Sequence, residues 1–150
     1  MDGLSALSVA ASIAQFIEFG CSLVSKSNEI YDSVHGASIQ NVESAAATKR
    51  LIELSEGMKA SLEFERISGV HTSKQRESLE AICDGCIAVS AEFLTRLDRL
   101  KIQDGLKNRR WKSFRQALKS VWSKSAIGEI GKRLESFKKE LDAHVLVSLR

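Results

Sequence analysis

Gly3-Leu-Ser-Ala-Leu-Ser-Val-Ala-Ala-Ser-Ile-Ala-Gln-Phe-Ile-Glu-Phe-Gly-Cys-Ser-Leu-Val24 is the stretch on which the fold turns. These residues include one side chain charged at neutral pH, Glu18, and no helix breaker stronger than Gly20. At about 1.5 Å per residue the run is long enough to match a hydrocarbon core. Whether it spans one is a matter of magnitude. Leu4, Leu7, Val9, Ile13, Phe16, Ile17, Phe19, Leu23 and Val24 each contribute roughly −0.3 to −0.6 kcal/mol on an insertion scale, against roughly 2.5 to 3.5 kcal/mol for a central carboxylate. The serines and Gln15 bring the sum towards neutral.

Wound as a helix, the same run sorts its side chains. Ser5, Ser8, Ser12, Gln15, Glu18, Ser22, Lys26 and Glu29 gather on one polar arc, interrupted by Leu4, Ala11 and Phe19. Val9, Ile13, Phe16, Ile17, Gly20, Val24 and Tyr31 lie opposite. Two readings stay open: the most buried helix of a bundle, or a helix that is core in one state and membrane-inserted in another.

Outward from this stretch, the composition favours long helices. The chain has 150 residues and no proline, and no segment shows the period-two alternation of a sheet. That length suffices for one domain with its own core. The apolar periodicity predicts helices over about 4–34, 42–65, 73–102, 109–123 and 126–149. The first stops at His35-Gly36, the second is capped by Asn41 or Ser38, and Ser68-Gly69 ends it. Leu51, Leu54, Met58 and Leu62 form the second helix's stripe. The third, with Thr72 or Ser73 as cap, carries Leu79, Ile82, Cys83, Cys86, Val89, Phe93, Leu97 and Leu100, and breaks at Gln103-Asp104-Gly105. Trp111, Phe114, Leu118, Val121 and Trp122 line the fourth; Ser125 caps a fifth that turns Ile127, Ile130, Leu134, Phe137, Leu141 and Val145 inward. Short connectors make neighbouring helices antiparallel, so the expected fold is an all-α up-and-down bundle of four to five helices with a long hydrophobic N-terminal helix.

The net charge of +3 conceals an asymmetry. Residues 1–100 carry 9 Lys/Arg against 14 Asp/Glu, whereas residues 101–133 carry 10 against 2. The basic segment holds Lys107, Arg109, Arg110, Lys112, Arg115 and Lys119 beside Trp111 and Trp122, which makes those six cations candidate contacts for anionic lipid headgroups. A solvated helix face and a nucleic-acid contact are the rival readings, though no nucleic-acid-binding motif frames the charges.

Little in the sequence points to chemistry. Cys83-Asp-Gly-Cys86 has the CxxC form, but a zinc site needs two further ligands, and the remaining Cys21 and the histidines at 35, 71 and 144 are scattered singly. On an apolar stripe, reduced cysteine acts as a small hydrophobe. There is no nucleophile elbow, and Gly128-Glu-Ile-Gly131-Lys132 lacks phosphate-loop spacing. No catalytic, metal or cofactor-binding residue is therefore expected, and the chain reads as a non-enzyme. Asp2 stands where a secretory signal would be basic, and three cysteines suit a reducing compartment; both predict a cytosolic protein. The last residues, Val145-Leu-Val-Ser-Leu-Arg150, have neither a glycine stop nor a polar tail, which predicts the N-terminal part of a longer protein.

Three segments carry a family resemblance: Met1-Asp-Gly-Leu-Ser-Ala-Leu-Ser-Val-Ala-Ala-Ser-Ile-Ala-Gln-Phe-Ile-Glu-Phe-Gly20, Thr48-Lys-Arg-Leu-Ile-Glu-Leu-Ser55, and Arg133-Leu-Glu-Ser-Phe137 with Leu141, His144 and Leu149-Arg150. Together they resemble the HeLo-like N-terminal domains of fungal NACHT- and ankyrin-type NLR-like (STAND) receptors. The family commonly has proline where this chain has Gly3. The resemblance implies a cytoplasmic helical-bundle effector used in allorecognition, innate immunity-like responses and regulated cell death. It further implies homo-oligomerisation on activation, a NACHT or repeat region downstream, and movement to the plasma membrane. The implied membrane-inserting residues are Leu4, Leu7, Val9, Ile13, Phe16, Ile17, Phe19, Gly20, Leu23 and Val24. A non-lytic protein-binding or oligomerisation adaptor bundle is the alternative.

Overall fold

Free of proline and rich in Ala, Leu, Lys, Glu and Ser, the chain forms four helices and no strand among the described residues. A computed structural model describes the backbone of residues 2–32, 41–68, 73–105 and 123–148, and the side chains of residues 9–29, 46–67, 74–99 and 123–146. The helices are α1 (Asp2–Asp32), α2 (Asn41–Ser68), α3 (Ser73–Gly105) and α4 (Lys124–Ser148). The helix expected over about 109–123 lies, apart from Ser123, outside the described residues, as do the connectors around His35-Gly36 and Gly69.

Three boundaries differ from expectation: α3 runs on through Gln103 and Asp104 to Gly105, where a break was expected, and the other two differ for local reasons. α2 continues to Ser68, about a turn beyond residue 65. Arg66 there pairs with Glu63 on the same helix at 3.2 Å and reaches across to Glu80 of α3. At the start of α4 the capping residue is Ser123, not Ser125: the Ala126 N–H donates to Ser123 Oγ and the Ile127 N–H to the Ser123 carbonyl, both at 3.1 Å.

Contacts between helices set their directions. Gly20 of α1 lies against Leu134 of α4, and Val24 against Gly131, so one helix advances as the other recedes. Gly85 faces Phe137 and Glu92 pairs with Arg133 at 2.6 Å, which makes α3 antiparallel to α4 as well. Ser55 with Ser90, and Arg66 with Glu80, relate α2 to α3 in the same way. Hence α1 and α3 run one way and α2 and α4 the other. α1 touches all three other helices, while α2 and α4 sit diagonally, each packed on α1 and α3.

The core follows the predicted stripes. Val9, Ile13 and Phe16 of α1, Leu51 and Met58 of α2, Leu79, Val89 and Phe93 of α3, and Ile127 and Leu134 of α4 are fully buried. Glu65 continues the inward stripe of α2, and Ser90 that of α3. Two hydroxyl pairs cross helix interfaces, Ser12 with Ser61 at 3.1 Å and Ser55 with Ser90 at 2.7 Å, and so satisfy polar groups that burial would otherwise penalise.

Candidate functional site

The implied membrane-inserting residues fall into three groups in α1. Val9, Ile13, Phe16, Ile17 and Gly20 are buried in the bundle core, and Phe19, Leu23 and Val24 are half-buried against it. The side chains of Leu4 and Leu7 lie outside the described residues. The polar arc also falls as its spacing dictates, since Gln15, Glu18, Ser22, Lys26 and Glu29 are exposed and Ser12 turns towards α2.

Glycine lets α1 come close to its neighbours. A Cβ on Gly20 would sit 2.9 Å from Leu134 Cδ1 and 3.6 Å from Phe93 Cε2. Such closeness brings the flanking Phe16 and Ile17 fully into the core. Burying Val9, Ile13, Phe16 and Ile17 contributes about 6 to 12 kcal/mol at roughly 1.5 to 3 kcal/mol each, an upper estimate. A domain's whole stability is about 5 to 15 kcal/mol, so α1 leaves the bundle only when another surface replaces most of that burial.

No described helix is long and apolar enough to cross a membrane. In the bundle α1 is an amphipathic helix, and the near-neutral insertion sum has its physical source in the exposed Gln15, Glu18 and Ser22. The six candidate headgroup contacts, Lys107, Arg109, Arg110, Lys112, Arg115 and Lys119, all lie outside the described residues.

Cys83 and Cys86 are buried on α3. Burial, reinforced by Asp84, pushes the Cys83 thiol up to about 11. Burial, reinforced by Cys83, pushes Cys86 up to about 12. Both are protonated at neutral pH, which makes them poor nucleophiles. No group of three or more potential metal ligands exists among the described residues. Cys21 is half-buried, and its thiol is also raised, first by burial and then by Glu135, with Lys138 opposing.

Sequence reasoning missed one surface feature. Cys21, Gly128, Gly131, Lys132, Glu135, Ser136 and Lys139 line an open groove of about 540 Å³ between α1 and α4. Its signal was available in the Gly128 and Gly131 spacing, which fails as a phosphate loop but leaves a helix surface without Cβ atoms. Ile52, Phe64, Ile67 and Leu146 are large apolar side chains left exposed. Compared with known proteins, the chain matches no family model, no curated protein and no solved structure.

Proposed function

We propose that the chain is a HeLo-like N-terminal effector domain of a fungal NLR-like receptor, which homo-oligomerises on activation and targets the plasma membrane through α1, leading to regulated cell death. The domain is non-enzymatic and cytoplasmic at rest. Support for this reading comes from the position of α1: the helix that bears the most specific part of the family resemblance also packs against all three of its neighbours. Its apolar face is therefore covered while the bundle is closed. Released, it offers that face to lipid as an amphipathic helix seated in the interface, a mode that does not need a full span. Anionic headgroups are the expected lipid partners of the basic segment, and a NACHT or repeat region is the expected downstream partner.

The adaptor reading is favoured by one observation of its own. Val9, Ile13 and Phe16 are wholly inside, so a bundle that never opens would display only the outer faces of its helices to protein partners. Dye release from phosphatidylserine-containing vesicles separates the two. Release by the assembled protein, lost in the Phe16→Asp, Ile17→Asp variant, is expected of the effector. Absence of release, or equal release by that variant, defeats membrane action and leaves the adaptor.

A further inference from the structure

Two exposed helix faces carry the same spacing with opposite charge. On α2, Ile52, Glu56, Lys59 and Glu63 follow one another at intervals of four, three and four residues. On α4, Gly128, Lys132, Glu135 and Lys139 follow at the same intervals. Each row is a single stripe of a helix surface, about 16 Å long at 1.5 Å per residue. All eight residues are exposed. None of Glu56, Lys59, Lys132, Glu135 and Lys139 forms an ion pair among the described residues, and Glu63 has only a solvent-exposed pairing with Arg66.

We propose that these faces bind each other between copies of this chain, α2 of one molecule lying parallel on α4 of the next. Glu56 then meets Lys132, Lys59 meets Glu135 and Glu63 meets Lys139. Ile52, an apolar side chain 42% exposed, comes to Gly128, where a Cβ would find nothing within 4 Å. The α4 row also forms one wall of the groove beside Cys21 and Gly131, which gives an incoming side chain room. An antiparallel docking would still oppose charges, but it shifts the central pair by one residue and takes Ile52 away from Gly128.

The contact is heterologous, so every copy keeps one free α2 face and one free α4 face for further neighbours. Because α2 and α4 run in the same direction within a molecule, parallel docking stands all copies the same way up. Every α1 then starts at the same side of the assembly, as collective action of α1 on one surface requires. The inference rests on the oligomerising part of the proposed function and deepens it by naming the surfaces.

Lipid-free sedimentation equilibrium of the full chain, from micromolar to near-millimolar concentration, tests it. The wild type is expected to rise above its 16.5 kDa monomer mass. Lys132→Glu with Lys139→Glu, and separately Glu56→Lys with Glu63→Lys, should each weaken association about tenfold or more, since attractive pairs become repulsive. Mixing the two variants should restore association, because each then offers the other a complementary face. Circular dichroism checks that each remains helical. A cross-link between Ile52→Cys on one copy and Gly128→Cys on another, in a Cys21→Ser background, should form in the mixture and fix the parallel register. A wild type that stays monomeric throughout, reversals that leave its assembly unchanged, or a mixture that fails to recover would overturn the proposal. With no lipid present, failure here is distinct from failure to release dye.

Discussion

Adding one methyl group to Gly20 tests directly whether α1 is seated as described. In Gly20→Ala the new Cβ lies 2.9 Å and 3.3 Å from the two methyls of Leu134. Leu134 is fully buried, so those methyls have no solvent to swing into. Overpacking of this kind costs about 1 to 3 kcal/mol, while replacing glycine by alanine within a helix returns about 0.8 to 1 kcal/mol. The net expectation is destabilisation of up to about 2 kcal/mol. Gly57→Ala is the internal control. Gly57 is exposed on α2 with nothing within 4 Å of its Cβ position, so only the propensity gain of about 0.5 to 1 kcal/mol remains. Urea unfolding followed by circular dichroism reads both, and the opposite signs separate them without reference to absolute stability. Should Gly20→Ala stabilise as much as Gly57→Ala, α1 does not lie against α4 at this point, and the burial assigned to it is wrong.

Other outcomes follow from the same contacts. Gly85→Ala brings a Cβ to 2.5 Å from Phe137 Cζ, but Phe137 is only half-buried and can give way. Its thermal-unfolding loss should therefore be smaller than that of Gly20→Ala. Ser90→Ala, which orphans a part-buried hydroxyl on Ser55, should cost about 1 to 2 kcal/mol, and the Ser55→Ala, Ser90→Ala double variant less than the two singles together; a double-mutant cycle in urea measures the difference. The thiols of Cys83 and Cys86 ionise less readily folded than unfolded, so the stability they contribute is complete below the ordinary thiol value of about 9 and falls as pH rises towards about 11 and about 12. Replacing both by Ala, at a fixed offset in baseline stability, should flatten the alkaline limb of the urea midpoint against pH. Glu92→Gln removes a half-exposed ion pair to Arg133 and should lower the unfolding free energy from urea titration by less than about 1 kcal/mol, less still at high salt.

The helices were legible because core positions repeat at helical spacing: Leu51, Leu54, Met58 and Leu62, or Leu79, Ile82, Cys83 and Cys86, are buried just where the stripes require. The cap of α4 was not, since Ser123 and Ser125 are chemically equivalent and only backbone geometry chooses between them. Neither was the inward turn of Glu65, whose charge argues for solvent while its place in the stripe argues for the core. α1 was legible as a helix with one buried face. Its behaviour on lipid depends on a difference between two large burial terms, which residue spacing alone does not resolve. The α2 and α4 charge rows stand plainly in the sequence, but their significance needed the knowledge that both faces are outward and parallel.

The central claim, that α1 acts by leaving the bundle, is tested most directly by tethering it. Val24 Cγ1 lies 3.4 Å from the Cβ position of Gly131, so Val24→Cys with Gly131→Cys, in a Cys21→Ser background, places two thiols within bridging reach of each other. Dye release from phosphatidylserine-containing vesicles is then measured for the oxidised and the reduced protein. The account predicts release by the reduced form, none by the oxidised form, and recovery on adding reductant. Equal release by the two forms would mean that α1 never has to leave α4, and would contradict it.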